Sequence, residues 1–62
     1  MNAGDMVKIT KPTYLYKGVF ILQNSIVEIL AITDINTANV LYRDREGNPH
    51  EISFLLTDLS PS

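Results

Sequence analysis

Hydrophobic and polar positions alternate with a period of two along much of the chain. Between Gly4 and Thr10, Val7 and Ile9 fall on one side and Met6, Lys8 and Thr10 on the other, as in a strand with one buried face. Lys11-Pro12 ends this strand, because proline has no amide to donate to a ladder. Further on, Ala38, Val40 and Tyr42 alternate with Asn39, Leu41 and Arg43, and Ile52 and Phe54 alternate with Glu51 and Ser53. The polar Glu46-Gly47-Asn48-Pro49 between these two runs predicts a hairpin closure, with Gly47 free to take a positive φ. The run 26–33 (IVEILAIT) is apolar almost throughout, which predicts a strand buried on nearly both faces with Glu28 toward solvent. Asp34-Ile35-Asn36-Thr37 after it has turn composition.

Two segments carry weaker patterning. In 13–25, Tyr14 and Tyr16 alternate with Leu15, which suits an extended arm, and Gly18 permits a bend. Val19–Leu22 is a short β-like run and Gln23-Asn24-Ser25 a turn. The rival reading is a helix over 18–32, disfavoured because Val19, Ile21, Ile26, Val27, Ile29 and Ile32 would each lose χ1 freedom there. The residues leave open whether 18–24 is strand, loop or interface. At the other end a helical turn over Leu55–Asp58 would set Leu56 and Leu59 on the core, with Ser60-Pro61-Ser62 a frayed tail. About five short strands, tight turns and one late helical turn predict an all-β fold, a small SH3-like barrel. Closure suits so short a sheet because it removes exposed edges.

Composition narrows the function classes. With 62 residues the chain is one domain, and a domain of that size has marginal stability. It has no cysteine and one histidine, which excludes disulfides, thiolate metal sites and a histidine-rich metal site. No cofactor is expected. Apolar residues at 45% and charged residues at 19% are ordinary for a globular domain. The formal charge of −2 argues against a general nucleic-acid binder, since such domains carry a basic excess. No signal peptide or apolar span of membrane length is visible, so the chain is expected to be soluble and cytoplasmic.

The chemistry-bearing residues are few. His50 has Glu51 beside it, but strand neighbours point to opposite faces. No Ser or Asp stands out as its partner, so it is expected to be a plain surface histidine and the chain not an enzyme. Arg43 and Arg45 flank Asp44 with Glu46 next. They form either an anion clamp or a hairpin tip whose charges pair with one another. Tyr14 and Tyr16, beside Lys11, Pro12 and Lys17, suit a peptide groove, a stacking platform or a lid over the barrel's open end. Lys11, Tyr14, Tyr16, Lys17, Arg43 and Arg45 are therefore the candidate partner-contact residues. The apolar 19–32 region also allows strand pairing between copies.

The residues GDMVKIT and KP at 4–12, and ANVLYRDREGNPHEISFLLTDL at 38–59, resemble the opening strand and closing half of several small SH3-like proteins. The family they most resemble is the S subunit of the photosynthetic NAD(P)H dehydrogenase-like complex. The E subunit of photosystem I and the KOW/Tudor-type domains are more distant likenesses. The resemblance implies a non-catalytic accessory subunit of a larger complex that docks an electron carrier, at the stromal-side periphery of a membrane complex, with Lys8, Lys11, Lys17, Arg43 and Arg45 as contacts. Segment 13–25 is longer than the corresponding loop, and the net charge is acidic rather than basic. The KOW/Tudor likeness implies the alternative, a nucleic-acid or ribonucleoprotein-binding domain.

Overall fold

A computed structural model describes all 62 residues. The chain runs through strands β1 (Met6–Ile9), β2 (Tyr14–Tyr16), β3 (Val19–Ile21), β4 (Ile26–Ile32), β5 (Thr37–Arg43) and β6 (Pro49–Leu55). A single 3₁₀ turn, Leu56–Asp58, then leads into β7 (Leu59–Pro61). The main sheet is antiparallel in the order β6-β5-β4-β1-β7, and β2 and β3 form a separate hairpin. A hairpin inserted after the first strand, a three-strand meander, and a 3₁₀ turn that returns the last strand to the first together make an SH3-like barrel. The number of strands is seven rather than about five, because segment 13–25 folds into a hairpin of its own and the C-terminus is a strand.

The core consists of eleven side chains: Val7, Ile9, Ile21, Val27, Ile29, Ala38, Val40, Tyr42, Ile52, Phe54 and Leu59. The inward positions of β1, β5 and β6 are those that the alternation marks. Each fully buried Val, Ile, Leu or Phe contributes roughly 1.5–3 kcal/mol, so this one cluster must carry the fold.

Strand β4 departs from expectation. Only Val27 and Ile29 are buried, while Ile26, Leu30, Ala31 and Ile32 are exposed. A one-layer barrel has one interior, and nothing packs on the outer face of β4. Its register to β5 also shifts: Ile29 pairs with Val40 but Ala31 with Asn39. Leu30 is the extra residue of a β-bulge, which bends the strand and interrupts the inward alternation.

The C-terminus is not frayed. Leu59, Ser60 and Pro61 pair with Ile9, Lys8 and Val7, and the Ser62 hydroxyl donates to the Met6 carbonyl at 3.1 Å. The 3₁₀ turn is held from both sides, by Leu56 N–H donating to Asn36 O at 2.7 Å and Thr10 N–H to Asp58 O at 2.8 Å. Leu59 is buried and Leu56 packs partly against the core, as expected.

Candidate functional site

The hairpin β2–β3 turns through Lys17 and Gly18, both at positive φ (49° and 83°), the geometry of a type I′ two-residue loop. Its inner face carries Tyr14, Tyr16 and Val19, which pack partly against the core. Its outer face carries Leu15 and Phe20, directly paired across the strands and 60% and 65% exposed. Leu22 continues that face and is also exposed. The hairpin is fastened to the barrel by one buried phenol: Tyr42 Oη donates to Phe20 O at 3.2 Å and accepts from Leu22 N–H at 3.3 Å. Gln23 closes the exit, with its amide N–H donating to Thr13 Oγ1 at 2.9 Å and its side-chain amide to Thr10 O at 3.0 Å.

Opposite stands the β5–β6 loop. It closes the hairpin as expected, with Gly47 at φ 83°, but Asp44 organises it and Pro49 already belongs to β6. Asp44 Oδ1 accepts from the amides of Glu46 and Asn48, both at 2.9 Å, and Oδ2 meets His50 Nε2 at 2.9 Å. Gly47 N–H donates to Asp44 O, and Asp44 N–H to Asn48 O. His50 therefore does have an acidic partner, Asp44, six residues back. Strand alternation does not reveal the pair, because it is the loop that folds the aspartate back onto the second residue of β6. The hydrogen bond to His50 holds the Asp44 carboxyl below the usual carboxylate range, and the two amides act in the same sense against partial desolvation. The remaining bonds of this carboxylate end on the loop's own backbone, so the pair shapes the loop.

Between hairpin and loop lies a half-open cleft of about 430 Å³ lined by Thr13, Gly18, Val19, Phe20, Leu22, Asp44, Arg45 and Glu46. Val19, Phe20 and Leu22 make its apolar part and Asp44, Arg45 and Glu46 its charged part. Arg45 is in this cleft. Arg43 is not: it lies on the outer face of the main sheet beside Met6, Ile26, Glu28 and Leu41, with Nη1 donating to Gly47 O at 3.4 Å. The two arginines face different hollows and form no clamp. Neither pairs with a carboxylate; the one side-chain contact of salt-bridge length is His50–Asp44.

Lys11, Tyr14, Tyr16 and Lys17 are brought together on the inner edge of the hairpin. Lys11 Nζ lies 4.2 Å from the centre of the Tyr14 ring and Lys17 Nζ 5.3 Å from that of Tyr16, both within cation–π range. Tyr14 also meets Phe54 edge to face at 6.1 Å. Burial pushes the Tyr14 phenol above its ordinary value, with Tyr16 and Asp58 adding to the effect. Each ring has one face under a lysine, so neither is an open platform for stacking bases. The exposed apolar side chains of this region, Leu15, Phe20 and Leu22, are not among the contact residues that the sequence singles out. Their one signal there is the odd–even offset between Leu15 and the two tyrosines.

No group of three or more His, Asp or Glu side chains is placed to hold a metal ion. No helix is long and apolar enough to cross a membrane. The chain matches no protein-family model, no curated protein and no solved structure.

Proposed function

We propose that this SH3-like barrel is a non-catalytic protein-interaction module whose contact surface is the β2–β3 hairpin and the cleft beside it. The observation that carries this reading is the Leu15–Phe20 pair, two large apolar side chains more than half exposed on one rung of a short hairpin. Exposed apolar groups that cluster next to a concave surface and are rimmed by charge have the anatomy of an interface. The hairpin is anchored through Tyr42, so its outer face is presented without a large ordering cost. Asp44, Arg45 and Glu46 supply the charged rim, and the cleft has room for one large apolar side chain of a partner.

The finer reading is an accessory subunit that docks an electron carrier within a photosynthetic assembly. It is supported by the resemblance of segments 4–12 and 38–59 to the S-subunit family. The test is affinity capture from native extract, followed by titration of the recovered partner against purified chain. Leu15→Ser with Phe20→Ser is expected to weaken binding at least about tenfold, with the circular dichroism spectrum and melting temperature unchanged. Capture by this double variant and by Arg45→Glu equal to that of the wild type would overturn the proposed surface.

A further inference from the structure

The outer face of the main sheet carries a second arrangement, formed by other strands than the hairpin. Its register places Met6 opposite Glu28, Glu28 opposite Leu41 and Leu41 opposite Glu51, one row across four strands. The next row places Lys8 opposite Ile26, with Arg43 beside Ile26 around the same shallow hollow. Both acids of these two rows are in the first and both bases in the second. Apolar side chains fill the places between them, and Met6 and Ile26 are each about half exposed (51% and 52%).

We propose that this face is a self-association surface, and that its occupant is a second copy of the same chain. Consider a two-fold axis lying in the contact plane and running across the strands. It exchanges the two rows, so that each copy's Glu28 comes down over the second copy's Ile26, between its Lys8 and its Arg43. Glu51 approaches the second copy's Arg43 in the same way. Met6 and Leu41 come to rest on the aliphatic stems of Lys8 and Arg43, a burial that such side chains accept while keeping their heads wet. A two-fold contact uses the same patch twice, so it requires a patch complementary to itself. Separating acids and bases into adjacent rows meets that requirement. An acidic or a basic partner would meet like charge in one of the two rows.

The size of the molecule sets the strength. With extents of 29 × 20 × 20 Å, no face offers much more than the area at the lower end of specific interfaces. The dimer is therefore a weak, concentration-dependent one. It leaves the hairpin cleft free in both copies and does not depend on the function proposed for that cleft.

Sedimentation velocity of the intact chain, from about 10 μM to about 1 mM, tests the proposal. The wild type is expected to shift from monomer toward dimer across that range, and less so in high salt. Glu28→Lys with Glu51→Lys makes the two rows wholly basic, and Lys8→Glu with Arg43→Glu makes them wholly acidic, so each double variant alone is expected to remain monomeric. Mixed in equal amounts, the two are expected to form a heterodimer. Ile26→Ser, which removes no core side chain, is expected to weaken association about tenfold. A wild type that stays monomeric at the highest concentration overturns the proposal. So does a dimer indifferent to these substitutions, or a mixture that does not recombine.

Discussion

Two side chains hold more of this structure than their size suggests. The Tyr42 hydroxyl is the polar link between the barrel interior and the hairpin, donating to Phe20 O and accepting from Leu22 N–H. Tyr42→Phe keeps the ring and removes that link. It is expected to cost about 1 kcal/mol, a fall of about 5 °C in melting temperature for a domain this small, with faster amide exchange at Leu22. Asp44 plays the equivalent part in the β5–β6 loop. Its folded-state pKa is depressed, chiefly by the His50 hydrogen bond. It therefore stabilises the fold above the ordinary carboxylate value near about 4, and that contribution fades as the pH falls through the lower, folded value. Asp44→Ala should melt below the wild type at neutral pH, and the gap should narrow as the pH is taken down past the ordinary carboxylate range.

At the scale of elements, the hairpin β2–β3 is three rungs held by a two-residue turn. Gly18 at φ 83° tolerates no side chain cheaply, and Gly18→Ala is expected to cost about 1 kcal/mol. Lys17 sits at φ 49°, where asparagine is favoured. Lys17→Asn is expected to raise the urea midpoint slightly. The same element shows where a sequence stops being informative. Strands β5 and β6 are legible because seven residues with one buried face print a clear period of two. Strands of three residues print none, so β2 and β3 read only as an arm, a bend and a β-like run. The apolar density of β4 suggests two buried faces because residue type records affinity for burial, not the presence of a covering layer. Strand β7, Leu-Ser-Pro, takes its order from β1 at the far end of the chain, a cause that no local pattern contains. At the site, Tyr14, Tyr16, Lys11 and Lys17 stand together as their spacing suggests. The separation of Arg43 from Arg45 depends on where the strand ends and the loop begins, a boundary set by Asp44 and its hydrogen bonds. Leu15 and Phe20 escape notice in the sequence because large apolar side chains are by default assigned to a core.

For the molecule as a whole, β1 is the keystone, paired on one side with β4 and on the other with β7. Leu59 closes the core from that last strand with only 5% of its surface exposed. Leu59→Ala is expected to cost about 2–4 kcal/mol, a large share of what a domain of this size has. Urea titration would then show a population already unfolding without denaturant. Because the ends of the chain must meet before the barrel closes, folding should be slow for so short a chain, in the millisecond-to-second range of barrels rich in distant contacts. The same pairing has a mechanical corollary. Val7 sits opposite Pro61 and Ile9 opposite Leu59, so both termini leave the ladder at the same end. A force applied to the two termini loads its rungs one after another, as in a zipper, and not all together in shear. The barrel should part at low force along β1 and β7, while the β4–β5–β6 meander stays folded longer.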